Sequence, residues 1–249
     1  MNRKVKLGIT LFLIGFIGIL STLTMDLVFP EKIQIVIDKM FTPWEFKLIS
    51  LINPTILLLI FVIIGTTIYD KVNFKLPIIE SIISKEKVPD KNEILKYGII
   101  GGVISGILMT LISVIFTPFL PIEFIEIGEK FKPGIITKFL YGGLTEEILI
   151  RFGLMSLITW IVFKITRKLN PIIYWAGIII SAIAFGFGHL PIVYTLIGTP
   201  TTELLLYIIL GNSVGGIIFG WIYWKKGLES AMIAHIFAHI LMILGESIF

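Results

Sequence analysis

The chain contains three histidines, and each falls in a long apolar stretch. His189 closes the run Phe185-Gly186-Phe187-Gly188-His189, while His235 and His239 stand four apart in His235-Ile236-Phe237-Ala238-His239. A third apolar stretch holds Glu146-Glu147-x-x-x-Arg151. Ionisable groups inside a membrane span are costly and are kept mainly where they act. Glu147 and Arg151 share a helix face at i,i+4 with the glutamate N-terminal, so each neutralises the other. Glu146 sits about 100° around an α-helix from Glu147, which leaves it as the carboxylate for proton transfer. His235 and His239 also share a face, at the spacing of zinc-binding helices, but the glutamate that completes H-E-x-x-H is missing. A glutamate and a histidine facing one cavity can activate water, and neighbouring imidazoles can hold the oxyanion that forms. That chemistry fits hydrolysis of a peptide bond better than redox or phosphoryl chemistry. The plain alternative is a set of polar staples between helices, with histidine hydrogen bonds worth about 1 kcal/mol each in membranes. All the histidines and the glutamate pair gather in apolar segments, which favours a site.

The elements that must position these residues are membrane helices. Of 249 residues, 56% are hydrophobic and 15% charged, with a mean hydropathy of +0.97; soluble domains carry about 25% charge. Several apolar stretches exceed the roughly 20 residues a spanning helix needs. Lipid offers backbone groups no partners, and the two-residue alternation of barrel strands is absent, so the fold class is all-α. The pattern predicts a polytopic transmembrane bundle of about seven helices, eight at most. The spans are Leu7–Phe29, Phe46–Tyr69, Tyr97–Phe116, Ile135–Ile165, Ile172–His189, Leu204–Trp224 and Leu228–Ile248. The first is read as a membrane helix because its apolar run is long for a signal peptide and lacks a cleavage site. Between spans two and three, Asp70–Lys96 mixes charge with Ile, Leu and Val, which predicts an amphipathic helix on the surface. Ile122–Lys132 has the same character. The whole chain reads as a single integral-membrane domain.

Charge sets the orientation. With seven spans, fourteen of the 21 basic residues fall on the side of the N-terminus and six on the other, with Arg151 inside a span. The positive-inside rule then places the N-terminus in the cytoplasm and the C-terminus outside. The net charge of +4 comes from lysines at segment ends, so nucleic acid is not an expected partner. No cysteine is present, which excludes disulfides and thiolate chemistry. Phosphate-binding glycine loops and cofactor fingerprints are also lacking.

The three motifs in this order resemble the CAAX-protease and bacteriocin-processing family of intramembrane endopeptidases, with its E-E-x-x-x-R, F-x-x-x-H and H-x-x-x-N or H-x-x-x-D. Here they read Glu146-Glu147-x-x-x-Arg151, Phe185-x-x-x-His189 and His235-x-x-x-His239, and Gly227-Leu228-Glu229-Ser230-Ala231 resembles the approach to the third. The resemblance covers about residues 134–245, which would form the catalytic core. It implies an endopeptidase acting near the C-terminus of a prenylated or membrane-associated protein. Glu146 and His189 would activate water, His235 with the residue at 239 would hold the oxyanion, and Glu147, Arg151 and Phe185 would support the site. Position 239 departs from the pattern. An amide donates without titrating, whereas histidine exists neutral or charged. No cofactor is required, but Glu146, His189, His235 and His239 together form a donor set suited to zinc.

Other chemistries find less support. Gly211-Asn212-Ser213-Val214-Gly215 matches the G-x-S-x-G of serine hydrolases, which would make Ser213 a nucleophile. Glycine and serine are common in packed membrane helices, however, and that reading leaves Glu146, Glu147 and His189 unexplained. Asp26 and Asp70 sit at span ends, away from any paired aspartate site. A transport or bacteriocin-immunity role would use the same polar cluster for ion passage or partner binding.

Overall fold

A computed structural model describes residues 2–25, 29–130 and 133–246, and among the described residues no strand occurs. Among the described residues, seven helical segments are long and apolar enough to cross a membrane: Arg3–Thr24, Pro43–Val72, Lys91–Phe119, Ile135–Thr166, Pro171–Ile197, Thr202–Lys226 and Leu228–Gly245. Numbered spans 1 to 7, they correspond to the seven expected from hydropathy. Span 1 ends at Thr24 rather than Phe29, and Asp26, Lys132 and Ile248 lie outside the described residues.

Local chemistry fixes where the helices begin. The Asn170 side chain accepts from the Ile172 and Ile173 N–H groups, with Pro171 in the first turn of span 5. Thr42 and Glu45 form a reciprocal capping box ahead of span 2. The Asp90 side chain accepts from the Asn92 N–H at the start of span 3, and Thr201 Oγ1 accepts from the Leu204 N–H at the start of span 6. Each cap satisfies an N–H that lipid could not.

Small residues set how closely the helices approach. A Cβ on Gly102 of span 3 would lie 2.6 Å from the Ala234 carbonyl oxygen, and one on Gly106 would lie 2.9 Å from that of Ala238, both in span 7. Gly18 of span 1 meets the Thr145 hydroxyl and the Leu140 carbonyl of span 4. Thr145 Oγ1 also donates to the Gly15 carbonyl at 2.7 Å. With no hydrophobic drive between helices in lipid, such close contact and interhelical hydrogen bonds supply the association.

Span 4 is not the plain α-helix that the motif spacing was read on. Ile135–Thr137 and Ser156–Thr166 are α-helical, but Lys138–Met155 between them is a π-helix. Its i→i+5 hydrogen bonding gives a wider turn, a geometry that occurs mostly as short insertions and often at functional sites. Positions four and five apart then share a face.

The amphipathic helix expected between spans 2 and 3 is present as Pro77–Ser84, with Ile79 and Ser81 on its buried side against the end of the bundle. Val72, Phe74 and Leu76 are buried there, while Ile82 faces outward. The Leu228 N–H donates to the Lys75 carbonyl at 3.1 Å. Glu229 Oε1 accepts from the Ile78 and Ile79 N–H groups at 2.9 and 2.8 Å. Gly227, at φ +96°, makes the turn into span 7 against Pro77. The segment following His189, expected to be a loop, is instead a helix, Leu190–Ile197. The second amphipathic stretch forms the helix Ile122–Lys130.

Candidate active site

The two ends of the bundle are built differently. At the N-terminal end, ion pairs tie elements together: Arg3 to Glu80 at 2.9 Å, Lys4 to Asp70 at 2.7 Å, and Lys226 to Glu93. Toward the opposite end the helices part around a cavity of about 400 Å³. Glu146, His189, His235 and His239 all line it, as does Phe185. The antiparallel topology brings the first half of span 4, the His189 junction of span 5 and the middle of span 7 around this one cavity.

Each side chain is held by a distinct contact. The Glu147 side chain is 0% exposed and that of Arg151 1%, against 18% for Glu146. Glu147 is therefore the enclosed carboxylate, and Glu146 the one that meets the cavity. Glu147 Oε2 lies 3.3 Å from Arg151 Nε, and Glu147 Oε1 lies 2.8 Å from His235 Nδ1. A carboxylate paired with arginine only accepts, so the His235 proton on that bond belongs to Nδ1. Nε2 is then directed to the other side, 3.9 Å from Glu146 Oε2. His189 Nδ1 donates to the Phe185 carbonyl at 2.8 Å, which leaves its Nε2 as an acceptor. The spacing F-x-x-x-H thus fixes a tautomer through an i→i−4 bond.

Aromatic rings complete the setting. The Arg151 guanidinium lies 5.1 Å from the Phe185 ring centre and 5.3 Å from that of Phe219. Its Nη1 and Nη2 have no hydrogen-bond partner, so the two ring faces carry much of its stabilisation. Phe219 also stacks on His235 at 4.6 Å, and His235 stacks on His239 at 4.9 Å with planes 21° apart. A Cβ on Gly142 would stand 2.6 Å from His239 Nε2 and 3.5 Å from His235 Nε2. The glycine therefore makes the room into which both imidazoles project.

All seven residues singled out in the motifs converge here. Phe219, Tyr141, Gly142 and Asn212 also belong to the site, and their side chains carry no spacing signal in the sequence. Ser213 does not join them. It is absent from the cavity wall, and its hydroxyl donates to the Ala182 carbonyl of span 5 at 3.2 Å. The donor geometry is also a poor match for zinc. Among the described residues no three His, Asp or Glu side chains are grouped to hold a metal ion. No step below passes through a metal.

One glutamate and three imidazoles around an internal cavity of a helix bundle are groups capable of general acid–base chemistry. Residues 129–241 match the family model described as Type II CAAX prenyl endopeptidase Rce1-like, the family that the three motifs resemble. The matched segment, just under half of the chain, encloses every residue of the three motifs. No curated protein and no solved structure matches the chain.

The shared carboxylate yields a stability test. Arg151→Met strands the Glu147 charge in a dry interior, which should cost about 3–5 kcal/mol. The double variant Glu147→Gln/Arg151→Met should recover a large part of that loss. Denaturant unfolding in micelles, followed by tryptophan fluorescence, measures both; equal losses in the single and double variants would contradict the pairing.

Proposed function

We propose that the protein is an intramembrane endopeptidase that cleaves near the C-terminus of a prenylated or otherwise membrane-associated protein. The observation that carries this reading is the cavity shared by Glu146, His189, His235 and His239, within the segment that matches the CAAX endopeptidase family. A water between Glu146 and His189 loses a proton to Glu146, with His189 Nε2 as its second acceptor. The hydroxide attacks the scissile carbonyl carbon, and the C–O bond forms as the carbonyl π pair moves onto oxygen. His239, in its Nε2–H form, stands where it can donate to that oxyanion; His235, whose Nδ1 proton is held by Glu147, donates from Nε2 only as the imidazolium. Glu146 then returns its proton to the leaving amine as the C–N bond breaks. Glu147 orients His235 throughout, and Arg151 pairs with Glu147 from its other side.

The wall of the cavity is mostly apolar, including Met109, Met242, Ile208 and Phe219. An apolar substrate segment suits it. The partners of this activity are the bilayer and the protein substrate.

The cleavage test uses a farnesylated CAAX peptide and follows release of the C-terminal tripeptide. Glu146→Gln should reduce kcat by at least a hundredfold at unchanged fold, and Ser213→Ala should keep activity within a few-fold of the parent. Full activity in Glu146→Gln would refute the mechanism, and loss of activity in folded Ser213→Ala would revive the serine route. Addition of a strong zinc chelator is expected to leave the rate unchanged.

The charge asymmetry also orients the site. The basic N-terminal end faces the cytoplasm, and the cavity opens toward the opposite face. Reporter fusions after Gly198 and at the C-terminus should both read as extracytoplasmic. Cytoplasmic readings at both positions would invert the assignment and open the site to the cytosol.

A further inference from the structure

The stretch Gly211–Gly215 of span 6 carries two adjacent polar side chains with different destinations. Ser213 turns into the contact with span 5, where its hydroxyl meets the Ala182 carbonyl. Asn212 lines the catalytic cavity, together with Gly211 and Gly215. The Asn212 Nδ2 donates to the Ile208 carbonyl at 2.8 Å, one turn back in its own helix. That bond uses one of the two amide N–H groups. The side-chain carbonyl and the second N–H make no other hydrogen bond to the described residues.

An amide left half-satisfied within a membrane helix is costly. Asparagine is also a poor helix former, so neither propensity nor packing accounts for it. An extended substrate has the complementary need, because each of its backbone N–H and C=O groups must find a partner within the bilayer. The free amide face of Asn212 offers one donor and one acceptor, the same pair a peptide group presents. Space is available beside it, since a Cβ on Gly211 would meet nothing within 4 Å. Among the described residues that line the cavity, Asn212 carries the one side-chain amide.

We propose that Asn212 binds the substrate main chain, pairing its side-chain amide with a backbone N–H and C=O next to the scissile bond while Gly211 leaves room for that strand. This assignment rests on the peptidase reading above. The two fail separately: Glu146→Gln tests the reading, and the variants below test the assignment.

The experiment compares Asn212→Leu with the parent on two series of the farnesylated peptide, one unmodified and one N-methylated at a single backbone position at a time. With the unmodified peptide, Asn212→Leu should lower kcat/KM roughly tenfold to a hundredfold. With the peptide methylated at the contacted position, parent and variant should cleave at nearly the same reduced rate. Asn212→Gln should recover part of the activity. A purely structural role for Asn212 would lower cleavage of every peptide by the same factor, and that result would overturn the assignment. Gly211→Ile keeps the test open should Asn212→Leu fold poorly. Its side chain enters empty space, so stability should hold while KM rises at least several-fold. An unchanged KM in a folded Gly211→Ile would count equally against the proposal. If the parent cleaves none of these peptides while folded, the peptidase reading falls and the assignment falls with it.

Discussion

The carboxylate of Glu147 is shared between two partners, and most of the site depends on that sharing. One oxygen faces Arg151 and the other holds His235 Nδ1. Burying a charge in a dry bundle costs several kcal/mol unless it is paired, so the pair must form for span 4 to pack at all. Once formed, it fixes the His235 tautomer and turns Nε2 toward Glu146. Arg151 is in turn set between Phe185 and Phe219, each ring worth up to about 2 kcal/mol when desolvated. Phe185 then supplies the carbonyl that fixes His189. A single buried ion pair thereby couples spans 4, 5, 6 and 7. The same coupling explains why one glutamate of the pair is sealed and the other meets the cavity.

Backbone geometry lets this network exist in a small space. The π-helix of span 4 sets Tyr141, Gly142 and Glu146 along one wall of the cavity. Glycines at the contacts of span 1 with span 4 and of span 3 with span 7 bring the helices close enough for side chains to meet across the bundle. The end away from the cavity is closed by the Tyr69–Ser84 segment, clamped by Glu229 and Leu228. The bundle is thus tied at one end and open at the other, which suits entry of a substrate from a single face.

Much of this was legible in the residues themselves. Seven spans follow from hydropathy because lipid forces backbone groups into helices. Glu146, Glu147, Arg151, His189, His235 and His239 stood out because charge and imidazole are expensive in such segments. The ion pair followed from the i,i+4 spacing, which brings Glu147 and Arg151 together in the π-helix as it would in an α-helix. The π-helix itself was not legible, since no residue pattern marks i→i+5 bonding. Phe219 looked like any other apolar residue of span 6, and only its place above His235 gives it meaning. Ser213 and Asn212 show the same limit: a one-residue difference in helix position sends one into the wall of span 5 and the other into the cavity. Sequence alone drew attention to the serine, as a lesser alternative, because it completed a known pattern, and gave no reason to single out Asn212.

The central claim is that water, and no side chain, attacks the scissile bond. Cleavage of a farnesylated CAAX peptide in H₂¹⁸O with added hydroxylamine tests it most directly, with the products weighed by mass spectrometry. Direct attack by water at Glu146 and His189 predicts a truncated peptide carrying one ¹⁸O in its new carboxylate and no hydroxamate. A hydroxamate product that accumulates with hydroxylamine would reveal an acyl-enzyme and contradict the account.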